Sequence, residues 1–167
     1  MFTELPYDAS IGEAIAAIST KGAFLTVSDG ETTNTMTIGW ATIGYSWAKP
    51  ILVVMVRESR HTYPLLERTG EFTVSIPLNG LEEELHFCGT KSGRNHDKIS
   101  ECQLALTPGK IVQSPVITQA DLHFECRTIY KTKLNPANLD PSAQKWYPEG
   151  DYHTLYFGEI LACYELE

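Results

Sequence analysis

From Asn34 to Gly44 apolar and polar residues alternate, with Met36, Ile38 and Trp40 on one face and Thr35, Thr37 and Gly39 on the other. A period of two turns successive side chains to opposite faces, so this stretch predicts a half-buried strand. Ile51–Val56 is apolar and largely β-branched, the pattern of a strand covered on both faces. Ala23–Ser28 reads as a strand closed by the turn Asp29-Gly30, and Glu71–Ile76 as another alternating strand. Leu122–Lys131 and Leu155–Glu165 are the longest late strands. Helical spacing is confined to short pieces. Ser10-Ile-Gly-Glu13 has the form of a capping box, followed by a stripe of Ile11, Ala14, Ile15 and Ile18 that Gly22 ends. Thr62–Arg68 predicts a helix stopped by Gly70, with Pro64 tolerated in its first turn. Leu81–Phe87 and Asn95–Glu101 also read as helical. Pro136, Pro141 and Pro148 mark a surface excursion between the last two strands.

Six or seven strands with irregularly placed helices do not suit a doubly wound parallel sheet. A small antiparallel barrel with helices over its ends fits better. The length of 167 residues is that of one domain, so residues 1–167 are read as a single unit able to bury its own core.

Charge narrows the partners. Thirteen Lys and Arg against twenty-one Asp and Glu leave a net charge of −8. That balance argues against general nucleic-acid binding and against anionic membranes, both of which want a surplus of cations. No stretch of 18 apolar residues predicts a membrane span. The first ten residues carry Glu4 and Asp8 and lack the basic start of a secretion signal. The four cysteines, at 88, 102, 126 and 163, form no C-x-x-C pair and read as reduced thiols of a cytoplasmic protein. The five histidines show no metal-ligand spacing.

Three constellations carry candidate chemistry. Arg57-Glu-Ser-Arg-His-Thr62 follows the buried strand and opens a helix; its guanidiniums, hydroxyls and free amides suit a phosphate dianion. Asn34-Thr-Met-Thr37, with Trp40 and the turn Tyr45-Ser46-Trp47, offers a flat apolar wall edged by polar groups, as a planar heteroaromatic ligand requires. Cys88-Gly-Thr-Lys-Ser-Gly-Arg-Asn-His-Asp-Lys98 clusters glycines, hydroxyls and cations, with Gly89 and Gly93 allowing close backbone approach. It lacks the spacing of a Walker A loop. No catalytic dyad is evident.

In their order along the chain these segments resemble the flavin reductase-like, FMN-binding split-barrel family, and most of all its flavoredoxin-type members. The matching pieces are N-x-M-T at Asn34–Thr37, the Lys49-Pro50 turn, V-R-x-S-R-x-T at Val56–Thr62, G-E-F-T-V-S at Gly70–Ser75 and C-G-x-x-S-G-R-x-x-D-K at Cys88–Lys98, with Gly150–Glu159 as a looser C-terminal match. The resemblance implies a mainly β fold: a six-stranded antiparallel Greek-key split barrel with short flanking helices, assembled as a homodimer. It implies FMN as cofactor, with NADH or NADPH as electron donor and a small molecule or protein as acceptor. Carried over to this chain, Asn34, Thr35, Met36, Thr37, Ser46 and Trp47 would lie along the isoalloxazine ring. Arg57, Ser59, Arg60, His61 and Thr62 would hold the phosphate, supported by Ser92 and Lys98, with Cys88 and Gly89 at the start of the approaching loop. The alternative implied by the same family is a non-enzymatic FMN electron carrier reduced by a protein partner.

Overall fold

The computed structural model describes residues 1–166. In chain order the elements are β1 (Phe2–Glu4), α1 (Ile11–Thr20), β2 (Ala23–Ser28), β3 (Thr33–Ile38), β4 (Ala41–Ser46), β5 (Lys49–Arg57) and α2 (Thr62–Thr69). They continue with β6 (Glu71–Ile76), α3 (Glu82–Thr90), α4 (Lys98–Glu101), β7 (Leu106–Thr107), β8 (Val116–Ile117), β9 (Leu122–Lys133), α5 (Pro141–Gln144) and β10 (His153–Leu166). No described helix is long and apolar enough to cross a membrane.

One antiparallel sheet runs in the order β3-β2-β6-β9-β10-β5-β4, with β1 pairing β10 as an eighth strand. The expectation of six strands is therefore corrected to eight, and the hydrogen-bonded path stays open between β3 and β4 rather than closing. The sheet nevertheless curves round a single core. Leu25 of β2, Met36 of β3, Val54 of β5, Val74 of β6, Phe124 of β9 and Tyr156 of β10 share one apolar cluster, with Ala41 and Ile43 of β4 packed against it. Ala14, Ala17 and Ile18 of α1 and Leu65 and Leu66 of α2 fill the remaining space; of the stripe expected for α1, Ala14 and Ile18 are in the core, Ile11 and Ile15 are half-buried, and Ala17 joins them.

The half-buried strand expected over Asn34–Gly44 divides into β3 and β4 at Gly39-Trp40. The break is a topological necessity, because β3 and β4 stand at opposite ends of the sheet path. Ser10 makes no side-chain cap bond; only its carbonyl accepts from the Ala14 amide. The helix expected over Asn95–Glu101 shrinks to the single turn α4, capped by Asp97, whose carboxylate accepts from the Ser100 amide. Gly70 ends α2 in the left-handed region at φ 65°, which a glycine adopts without a Cβ penalty.

β10 is the longest strand and pairs with β9, β5 and β1. Its register against β9 shifts at Phe157/Gly158 and again at Ile160/Ala162, two bulges that bend the strand round the core. Gly158 lies where a Cβ would stand 2.5 Å from Phe72 Cζ and 2.9 Å from Cys126 Cβ.

Candidate functional site

Two adjoining cavities lie at the seam where the ends of the curved sheet approach each other. The wider, about 370 Å³, is walled by Met36, Thr37 and Ile38 of β3, Gly39 and Trp40 of the crossing, Met55 and Arg57 of β5, Ser59, Arg60 and His153. The narrower, about 170 Å³, is lined by Asn34, Met36, Ser59, Arg60, His61, Thr62, Thr90, Lys91, Ser92, Gly93, Arg94 and Lys98. Met36, Ser59 and Arg60 border both, so the two form one continuous groove.

The narrow cavity is strongly basic. Its lining holds two arginines, two lysines, a histidine and four hydroxyls, and no carboxylate. Lys98, 4% exposed, forms the floor and donates to the carbonyls of Thr35 (3.1 Å) and Cys88 (2.8 Å). Burial, with the nearby Arg60 charge adding to it, pushes its ammonium down to about 8. Burial and then Arg57 lower the Arg60 guanidinium, while burial, Arg94 and Lys98 lower His61. Burial leads at all three groups and neighbouring cations add to it, so the cavity lies in a positive potential that an anion would relieve. Asn34, also buried, donates to Thr62 Oγ1 at 2.8 Å and holds that hydroxyl at the start of α2. Gly93 packs so tightly on this floor that a Cβ would stand 2.3 Å from Asn34 Oδ1.

Arg57 is engaged differently. Its guanidinium donates to the carbonyls of Asp151 and Trp146, both at 3.0 Å, and lies 4.8 Å over the Tyr147 ring. It borders the wide cavity but not the narrow one, and so ties down the proline-containing excursion. Asp151 reinforces the tie by accepting from Ser59 Oγ at 2.6 Å. Tyr147 OH and His153 Nδ1 share a 2.6 Å hydrogen bond behind the cavity wall. Burial, aided by the Arg57 charge, pushes His153 down to about 4, so it stands neutral at pH 7. Trp40 meets Trp146 and His153 at ring separations of 5.4 and 5.3 Å, closing the side of the cavity.

Asn34, Met36, Thr37, Arg57, Ser59, Arg60, His61, Thr62, Ser92 and Lys98 are thus brought to one groove. Thr35 enters only through its carbonyl, since its buried hydroxyl donates back to Leu25. Cys88 likewise offers a carbonyl to Lys98, while its thiol sits in a second apolar cluster with Phe24 and Leu85 and burial pushes it up to about 12. Gly89 offers its carbonyl to Arg60 (3.2 and 3.3 Å) and packs on Thr37. Ser46 and Trp47 are not part of the groove. They lie at the tip of the β4–β5 hairpin, and a nine-residue strand separates that tip from Arg57 by roughly 25 Å. Met55 and His153 line the groove without a signal in the sequence, because both sit in strands whose pattern speaks only of packing.

The flavin reductase like domain model matches residues 15–167. The chain belongs to this family. Among curated relatives, an uncharacterized protein of Archaeoglobus fulgidus is 32% identical over 138 residues, spanning 83% of this chain and 68% of its own. An NADH-dependent FMN reductase of Streptomyces nodosus subsp. asukaensis is 25% identical, over 88% of this chain and 69% of that protein. Of solved structures, the flavoredoxin of Desulfovibrio vulgaris superposes with a TM-score of 0.70 at 25% identity, covering 89% of this chain and 70% of that one. An FMN-binding protein from Thermus thermophilus superposes at 0.69 with 25% identity, over 87% and 71%. This chain is thus a flavin reductase-like protein with an FMN-binding fold, and its groove is the part of that fold described above.

Proposed function

We propose that this flavin reductase-like chain holds FMN with its phosphate in the narrow cavity and its ring in the wide one, and serves as an NADH- or NADPH-dependent oxidoreductase. The observation that carries the reading is the carboxylate-free basic cavity opening into a wider, partly aromatic one. A phosphomonoester brings about −1.5 to −2 charges at neutral pH, which the cluster of Arg60, Lys98 and Arg94 is suited to neutralise. Ser59, Thr62 and Ser92 add hydroxyl donors, and Met36, Thr37, Trp40, Met55 and His153 wall the ring. When bound, FMN supplies one- and two-electron redox chemistry; the protein positions it. A neutral His153 and the polar edge of β3 then set hydrogen bonding at the ring without requiring a protein acid or base. The reductase activity of the Streptomyces relative supports this reading.

A second reading, an FMN electron carrier reduced only by a protein partner, is favoured by the superposition on flavoredoxin. The visible spectrum of the purified protein, followed by identification of the flavin released on denaturation, tests FMN binding. A colourless protein that takes up no added FMN overturns both readings. Rapid bleaching by NADH or NADPH in stopped flow supports the reductase, and bleaching by a reduced partner alone supports the carrier.

We also infer a homodimer formed through the outer sheet face. Leu52, Val54 and Tyr156 point to the core, so Val53, Met55, Leu155 and Phe157 face outward. Met55 pairs with Leu155, Val53 with Phe157, and Phe157 with Tyr130. Trp47, 57% exposed, extends this apolar row at the hairpin tip, 5.7 Å from the Phe157 ring. Ser46 and Trp47 belong in this reading to the dimer surface. Four free thiols fit a reducing, cytoplasmic setting.

A further inference from the structure

The narrow cavity is crossed by two arginine straps running in opposite directions. Arg60, on the β5–α2 side, donates both terminal nitrogens to the Gly89 carbonyl on the facing side. Arg94, on that facing side, donates Nη1 back to the Ser59 carbonyl at 2.8 Å. Their depths differ: Arg60 is part-buried, whereas Arg94 is exposed at the rim, opposite the Lys98 floor. The Arg94 backbone is held as well. Its amide donates to Ser92 Oγ at 3.2 Å, and the preceding Gly93 is pressed onto Asn34 and His61 with no room for a Cβ.

The two cavities share Met36, Ser59 and Arg60, so in the FMN reading the ribityl chain would enter the narrow cavity from the wide one and the phosphate would lie among its cations. The exposed rim of this cavity is formed by Ser59, Thr90, Lys91 and Arg94, and a second phosphate substituent that leaves on the β5–α2 side would pass between Ser59 and Arg94. The Arg94 bond to Ser59 crosses that exit.

We propose that Arg94 is a specificity-determining residue: its strap to Ser59 closes the rim, so the site accepts the terminal phosphate of FMN and rejects the pyrophosphate-linked nucleotide of FAD. The inference rests on the FMN reading given above. It separates two roles for one guanidinium, a charge for the phosphate and an Nη1 bond to the Ser59 carbonyl that crosses the rim. Lys would keep the charge but on a shorter, flexible stem without the planar guanidinium that spans the rim to Ser59.

Fluorescence titrations of the deflavinated full chain with riboflavin, FMN and FAD test this at fixed ionic strength. The wild type is expected to bind FMN at least about tenfold more tightly than FAD. In Arg94→Ala the FMN Kd rises while the FAD Kd falls or holds, so the FMN-to-FAD preference drops about tenfold or more. Arg94→Lys keeps much of the FMN affinity yet loses the preference, because the charge remains and the strap does not. Riboflavin binding, which reports the ring cavity alone and the integrity of the fold, is unchanged in both variants. An equal loss of FMN and FAD affinity in Arg94→Ala, an unchanged preference in Arg94→Lys, or a wild type that binds FAD as tightly as FMN overturns the proposal and leaves the FMN assignment intact. Failure of the wild type to bind any of the three flavins overturns the FMN assignment, and the proposal with it.

Discussion

Lys98 Nζ donates to the backbone carbonyl of Thr35 across 3.1 Å, joining the floor of the narrow cavity to strand β3, which walls the wide one. A buried ammonium satisfied by carbonyls alone titrates near 8 instead of 10.5. A bound phosphate favours the charged form and raises that value again. Affinity for FMN should therefore hold up to about pH 8 and fall above it, by at most tenfold per pH unit, while riboflavin affinity stays flat. Lys98→Met should weaken FMN binding and abolish the slope between pH 8 and 9.5, as read by fluorescence titration. In the empty protein the same group works oppositely on stability. The unfolded chain keeps this proton to about 10.5 and the folded chain releases it near 8, so the folding penalty is present below 8 and is relieved as pH rises from 8 to 10.5.

Arg57 borders the wide cavity and anchors the excursion through the carbonyls of Asp151 and Trp146. Arg57→Ala removes both carbonyl bonds and the stacking on Tyr147. Limited proteolysis should then cut within residues 142–152 several times faster than in the wild type. FMN retention through gel filtration should fall about tenfold, because Ser59 loses its fixed Asp151 partner at the same time. Arg57→Lys should restore little of either, since one ammonium cannot serve two carbonyls and a ring in that geometry.

Tyr147→Phe deletes the hydroxyl bonded to His153 Nδ1 and leaves a buried ring nitrogen without its partner. An orphaned buried polar group costs about 1–3 kcal/mol, to be read as a lowered urea midpoint at pH 7. The imidazole is neutral there, so the loss reflects the hydrogen bond rather than a charge. NMR titration of His153 should show a pKa that remains below 6.5, because burial is the dominant cause and survives the substitution.

Gly158→Ala inserts a methyl group against Phe72 and Cys126 at a bulge, where the backbone cannot easily withdraw. Overpacking of this kind costs about 1–3 kcal/mol. Pairing the substitution with Phe72→Leu should recover part of the loss in thermal melts, since the shorter side chain vacates the contact.

Short-range pattern made most of the sheet legible. Ala23–Ser28 and Glu71–Ile76 coincide with β2 and β6, and Ile51–Val56 lies inside β5. The alternation of Asn34–Gly44 runs unbroken through Gly39-Trp40, so nothing local signals that the chain there crosses from one end of the sheet to the other. The basic lining of the narrow cavity was legible because its cations and hydroxyls are dense in two short segments. The anchoring role of Arg57 was not, because its acceptors are backbone carbonyls at 146 and 151, and a carbonyl carries no residue-specific signal. His153 escaped for a related reason: its partner Tyr147 lies in an irregular, proline-marked stretch without periodicity. Ser46 and Trp47 share a hairpin with the groove wall but stand at its far end, a separation that depends on strand length more than on residue type.

The triple pairing of β10 has a consequence for how the chain assembles. β5 finds its neighbour roughly a hundred positions further along, and until β10 arrives the β4–β5 hairpin has no seat in the sheet. Helices α1 and α2 and the β2–β3 hairpin can form early from local contacts, whereas the groove is completed only when the last long strand docks. Such non-local closure slows folding towards the millisecond-to-second range. On the ribosome the nascent chain would expose the inner face of β5 until β10 is made, so ligand-binding competence should appear abruptly with β10 instead of accumulating with length.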